Sequence, residues 1–170
     1  MRAAGLFIVA VMIATPQVAS AAYRWVPNSG SNQGVLEAII KNNSDAEFVI
    51  YCAAEVDPKF RPRVSGMMLS SRKLKSLGFN QMQIIVGGTS YPFVFSNGSY
   101  ENDSLSGSVI FHSLVRALMN SKGKTFTIEV PKEGVSEEFS LADARKVLGG
   151  FRYEGSRKPR GGTLIGDCDF

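Results

Sequence analysis

The sequence predicts a mainly β protein, an antiparallel β-sandwich with one or two helices packed at an edge; an α+β arrangement is the alternative. Three observations lead there. Short apolar runs recur between clusters of turn residues, the two helical patterns fall late in the chain, and strands do not alternate with helices as a parallel sheet requires.

Each element has a local signal. Residues 23–33 are polar, with Pro27 and Gly30, and read as a loose leading segment in which Trp25 anchors onto the core. Residues 34–41 and 47–54 are apolar-rich and separated by Asn42-Asn43-Ser44-Asp45, whose side chains bond their own backbone and tolerate left-handed geometry. They predict a hairpin with Phe48, Ile50 and Cys52 on one face and Val49 and Tyr51 on the other. Val35-Leu36 and Ile39-Ile40 also fit a helical spacing, so a short helix is the alternative for the first run. Two prolines make 57–62 a loop, and 64–69 is a strand followed by a polar, basic connection through Arg72, Lys73 and Lys75. Residues 81–86 form a strand ended by Gly87-Gly88. Residues 91–95 form another, with Pro92 directing it to a sheet edge because proline cannot donate to a ladder. Residues 96–102 read as a turn.

Residues 105–119 carry the strongest helical pattern, with Ile110, Leu114, Ala117 and Leu118 on one stripe and Ser104 or Ser106 as cap. Lys122-Gly123-Lys124 closes it, with Gly123 offered as the C-terminal cap. Residues 125–130 alternate as a strand with Phe126, Ile128 and Val130 inward, 131–134 turn, and 135–139 return. Ser140 is expected to cap a short helix over 141–148, ended by Gly149-Gly150.

The first 22 residues have the three zones of a secretory signal peptide: Arg2, an apolar centre, then Pro16 and Ala19-Ser20-Ala21-Ala22. Cleavage is expected after Ala21 or Ala22. The apolar run is about 13 residues, whereas a spanning helix needs roughly 20, so an uncleaved anchor is the disfavoured alternative. Residues 23–170 then form a single extracytoplasmic domain with a basic, Gly-rich tail over about 152–170, long enough for a genuine core. Losing Arg2 lowers the formal charge from +4 to about +3, far from a nucleic-acid-binding signature. Cys52 and Cys168 are the two cysteines and lack metal or redox spacing. In an oxidising compartment they predict one disulfide pinning the tail, two free thiols being the alternative.

No established catalytic motif is present, so no catalytic, metal or cofactor residues are assigned and a non-enzymatic protein is expected. His112 is alone, and a zinc site wants three or four ligands. Glu101 with Asp103, and Glu137 with Glu138, read as solvated acids of turn segments rather than as carboxylate pairs. The most suggestive feature is a basic patch of Arg145, Lys146, Arg152, Arg157, Lys158 and Arg160, a candidate surface for an anionic partner; a solvated charge run is the simpler reading. Few aromatics interleave it, which argues against nucleic acid. Asn42, Asn97 and Asn102 begin Asn-x-Ser triplets.

Tyr91-Pro92-Phe93, residues 114–118 (LVRAL), residues 123–128 (GKTFTI), Phe139-Ser140-Leu141, Ala144 and Gly150-Phe151 together resemble the C-terminal half of the bacterial invasion-associated locus B family. That family has additional cysteines near its Pro-Phe strand, where this chain has Ser96-Asn97-Gly98-Ser99. The resemblance implies an exported, non-enzymatic β-sandwich of the envelope and carries over no catalytic residue. The expected function is therefore a periplasmic or secreted interaction protein of a Gram-negative bacterium, with an invasion- or host-associated role in keeping with the resemblance. Its partner would be an envelope or host protein or an anionic polysaccharide, without stable membrane insertion. A periplasmic inhibitor of a hydrolase such as lysozyme, inserting residues 97–104, and an envelope hydrolase are the alternatives.

Overall fold

The computed structural model describes residues 24–28, 35–53, 64–75, 78, 80–102 and 104–149. Two antiparallel sheets face each other. The first has the order β1 (Val26–Asn28), β2 (Val35–Lys41), β3 (Glu47–Ala53), β4 (Val64–Ser70) and β7 (Ser99–Glu101). The second runs β6 (Thr89–Phe95), β5 (Asn80–Val86), β8 (Thr125–Val130) and β9 (Val135–Ser140). Helix α1 (Leu105–Asn120) and the short α2 (Ala144–Gly149) pack against each other at the edge. The mainly β sandwich with edge helices is thus the fold observed.

Local chemistry explains the turns. Asn42 closes the β2–β3 hairpin: its side-chain oxygen accepts from the backbone N–H groups of Ser44 (3.0 Å) and Ala46 (2.9 Å). Residues 35–41 are therefore a strand, not a helix, because this turn returns the chain in register, Lys41 opposite Glu47. Between β5 and β6, Gly87 and Gly88 both take positive φ, 56° and 84°, the geometry of a two-residue hairpin turn. Gly134, at φ 65°, ends the 3-10 turn Pro131–Glu133 and lets β9 return beside β8. Pro92 lies on β6, which is an edge strand, as its missing N–H demands.

Alternation along the strands builds the core. β5 buries Asn80, Met82, Ile84 and Val86, and β8 buries Phe126, Ile128 and Val130. Phe48 and Ile50 point inward from β3. On the opposite face Tyr51 lies across Gly66 of β4, where an added Cβ would stand 2.5 Å from the tyrosine hydroxyl and overlap the Tyr100 carbonyl oxygen. Burial, with Glu101 adding to it against a Ser99 hydrogen bond, pushes the Tyr51 phenol above its ordinary value of 10.0.

An aromatic cluster joins the layers. Trp25, only 2% exposed, meets Phe48 edge-on and stacks on Phe126, both at 6.1 Å, and Phe126 stacks on Phe139 at 5.4 Å. The Trp25 indole donates to the Ser140 carbonyl (3.1 Å), and its backbone N–H donates to the Ala142 carbonyl (3.1 Å). Tyr100 makes a second cluster with Phe93, Phe95 and Phe111, which seats α1 on the sheets.

Five expectations need correction. Residues 26–28, within the supposedly loose leader, form β1 against β2 because Trp25 fixes the chain beside it. Residues 99–101, read as turn, form β7 on β4, with the Asn102 N–H continuing the pairing to the Ser65 carbonyl at 2.8 Å. The buried face of α1 is Phe111, Leu114, Val115 and Leu118; Ile110 and Ala117 are only half-buried, since the helix is rotated toward Tyr100. Its C-terminus is capped by extended Ser121, whose N–H reaches the Ala117 carbonyl, so Gly123 is not the cap. Ser140 ends β9 and its hydroxyl accepts from the Ala142 N–H, and the helix begins only at Ala144. Ser104 caps α1 as expected, accepting from the Gly107 N–H.

Replacing Trp25 by alanine removes the piece common to both layers. The expected loss is about 3–5 kcal/mol of unfolding free energy, measurable by urea denaturation.

Candidate functional site

Helix α1 and helix α2 form the walls of a surface groove of about 670 Å³. The floor is apolar, made by Leu118, Met119 and Leu141. The rim carries Lys122, Arg145 and Lys146. Their placement follows from the amphipathic pattern of α2: Ala144, Val147 and Leu148 are buried, which turns Arg145 and Lys146 outward. The Leu141 N–H donates to the Lys124 carbonyl at 2.8 Å, stitching the segment before α2 to the one after α1. That bond sets the spacing of the two basic walls.

Among the described residues, Lys122, Lys124, Arg145 and Lys146 have no acidic partner. Asp143 also lines the groove, but its carboxylate faces the Arg24 guanidinium at 3.5 Å. The C-terminus of α1 contributes about half a negative charge. Three formal positive charges on the rim outweigh it. The groove is therefore an electropositive surface over an aliphatic base.

A different group, Glu137, has the strongest electrostatic signature. It is 2% exposed and lies on the inward face of β9. Asn42 donates its amide N–H (2.9 Å) and Ser44 its hydroxyl (2.6 Å) to Oε2; Ser71 donates its hydroxyl to Oε1 (2.7 Å), and the Lys73 ammonium stands 3.2 Å from that oxygen. Burial alone would raise the carboxyl above its ordinary 4.5, but these four donors outweigh it and hold the value at about 2. With both oxygens occupied and almost no exposed surface, Glu137 acts as a strut between the two sheets.

The expectation that Glu137 and Glu138 are neighbouring solvated acids is thereby corrected for Glu137. They occupy alternate positions of a strand, so Glu137 points in and Glu138 out, and they cannot form a carboxylate pair. Glu101 is exposed on β7, and His112 is half-buried on α1. Of the Asn-x-Ser triplets, Asn42 and Asn102 are buried and hydrogen-bonded, while Asn97 is exposed in a turn at φ 52°. Residues 99–101 are held in β7, and the Asn97-Gly98 turn before them is tied to β4 by the Leu69 N–H, which donates to the Gly98 carbonyl at 2.8 Å.

Arg145 and Lys146 of the expected patch do line the groove; Lys122, missed at the sequence level, joins them across it. Arg152, Arg157, Lys158 and Arg160 lie outside the described residues, as do Cys168 and the Cys52 side chain, so the expected disulfide does too. The signal segment 1–22 lies outside them as well. No described helix is long and apolar enough to cross a membrane.

Linkage at Glu137 gives a direct test. Its carboxyl titrates near 4.5 in the unfolded chain and near 2 in the folded one, so the stabilisation is complete above about pH 4.5 and is lost as pH falls toward 2. It amounts to roughly 3 kcal/mol. Glu137→Gln is expected to lower unfolding free energy at neutral pH by a comparable amount and to flatten the profile between pH 4.5 and 2, read by denaturant titration across that range.

Neither a curated protein nor a solved structure matches the chain. A family model described as YfjT matches residues 23–148, from just ahead of Trp25 through Leu148 of α2 and so over both sheets and the groove. The chain belongs to the YfjT family.

Proposed function

We propose that the protein is a non-enzymatic interaction module of the bacterial envelope, exported to the periplasm or beyond, that takes an anionic partner in the groove between α1 and α2. The observation that carries this reading is the juxtaposition of Lys122, Arg145 and Lys146 around one concavity, without acidic partners among the described residues. Isolated surface lysines are ordinary, but cations converging on a concave surface focus the field and raise the local concentration of an anion. Arg152, Arg157, Lys158 and Arg160 follow α2 directly in the chain and add to the positive charge.

Two further points support export. The first 22 residues have the zones of a signal peptide, and the YfjT match begins at residue 23, beside the expected cleavage position. The resemblance of residues 91–151 to the invasion-associated locus B family points to the same compartment and to binding rather than catalysis.

Expression in a Gram-negative host is expected to yield a periplasmic or secreted form whose N-terminal residue is Ala22 or Tyr23, read by intact-mass and N-terminal analysis; a product starting at Met1 contradicts export. The exported chain is expected to be retained on an acidic polysaccharide resin and eluted by salt. The triple variant Lys122→Glu, Arg145→Glu, Lys146→Glu should elute at distinctly lower salt with an unchanged circular dichroism spectrum. Equal elution of the two proteins overturns the groove assignment.

A further inference from the structure

Among the described residues, α1 packs mainly on α2, β5 and β6, and no helix lies across the outward face of the first sheet. That face carries an apolar row. Ala38 and Ile40 of β2, Phe48 and Ile50 of β3, and Met67 and Leu69 of β4 are buried in the core. Strand alternation therefore turns Ile39, Val49 and Met68 outward. The registers set them side by side: Val26 opposite Ile39, Ile39 opposite Val49, and Val49 opposite Met68. Val26 is 51% exposed and Met68 40%, two of the four exposed large apolar side chains among the described residues. Ile39 is half-buried between them, and Val49 is covered by its neighbours. Single exposed apolar residues are ordinary, but a row continuous across four strands marks a contact surface.

The two flanks of the row differ. Glu37 and Tyr51 face each other on one side, and the Lys41–Glu47 ion pair (3.0 Å) lies on the other. A two-fold axis laid along the row reverses the strands of a second copy. Glu37 of one copy then stands opposite Lys41 of the other, and Tyr51 opposite Glu47, each contact made twice. A carboxylate meets an ammonium, and a phenol that can donate meets a carboxylate that accepts. The face is thus complementary to itself. Packed sheets lie about 10 Å apart, within reach of these long side chains from both copies.

Size agrees with such a contact. Five strands about 4.8 Å apart, up to seven residues long, give the face a footprint on the order of 500 Å². Two copies together bury about 1,000 Å², where specific but reversible association begins.

We infer that the outward face of β1–β4 is the contact surface of a two-fold homodimer, with the apolar rows meeting along the axis and Glu37 of each copy paired with Lys41 of the other. None of the residues lining the α1–α2 groove belongs to this face, so the dimer stands or fails independently of the groove.

Sedimentation equilibrium of the exported full-length chain, from micromolar to submillimolar concentration, is expected to show reversible association to twice the monomer mass. Met68→Glu should weaken it by on the order of tenfold or more, since it brings two carboxylates together in an apolar contact. Val109→Glu, the same kind of change at an exposed position of α1, should leave it unchanged. Lys41→Glu and Glu37→Lys should each weaken self-association, because each variant confronts like charges at both symmetry-related contacts. An equimolar mixture of these two variants should associate more tightly than either alone, since both contacts then join opposite charges. Circular dichroism checks that each variant folds; should Met68→Glu not fold, the mixing of the two charge variants decides. A monomer at every concentration, association by folded Met68→Glu equal to that of the unaltered chain, or no gain on mixing overturns the assignment.

Discussion

A single buried carboxylate governs how the two sheets meet. Glu137 comes from β9 of one sheet, while Asn42, Ser44, Ser71 and Lys73 all come from turns of the other. An ionised group in that position costs several kcal/mol in lost hydration unless its lone pairs are filled. All four donors must therefore arrive together. That requirement couples the β2–β3 turn, the connection after β4, and the register of β9 on β8. Sliding β9 by one residue would turn Glu137 to solvent and bring Ser136 or Glu138 inward, leaving the Asn42 amide and two serine hydroxyls without their acceptor. The apolar core tolerates small adjustments. This cluster does not, and it fixes one alignment of the layers.

The groove inherits its shape from that alignment. β9 runs directly into the Ser140–Asp143 turn, where Asp143 adopts φ 65° and sets the start of α2. The Ser140 hydroxyl, the Ala142 N–H and the Leu141–Lys124 backbone bond hold the turn in place. Trp25 seals it from the other side through the Ser140 and Ala142 carbonyls. A basic rim on a helix of only six residues would be poorly positioned by the helix itself. Its precision comes from the strand and the tryptophan behind it.

The sandwich was legible because period-two alternation and Asn/Gly turns are local signals. The 42–45 turn, Gly87-Gly88 and the β8–β9 return are each decided within a few residues. What escaped was decided at long range. Ser99–Glu101 has no strand pattern of its own; it pairs because β4 offers an edge beside Tyr100. The face of α1 depends on where Tyr100 stands, which no helical periodicity encodes. Glu137 is the instructive case, since Val135, Glu137 and Phe139 share one parity. Carrying the alternation through the acidic residue places it inside. Its polarity argued for the surface, and its partners, 64 to 95 positions earlier in the chain, were beyond sequence reasoning. Half of the groove was visible as the Arg145-Lys146 pair. Lys122 was read only as a helix terminator, because nothing local shows that α1 ends beside α2.

The Trp25 anchor also bears on the order in which the molecule becomes itself. Its indole bonds a carbonyl 115 positions away, so some of the first described residues complete their burial only when nearly the last strand exists. Closing a loop of that length is entropically late and makes the topology a slow, non-local one. During synthesis Trp25 can meet Phe48 early, but its stacking partner Phe126, itself stacked on Phe139, follows about a hundred residues later. The aromatic cluster that joins the layers is therefore completed only when β8 and β9 are in place.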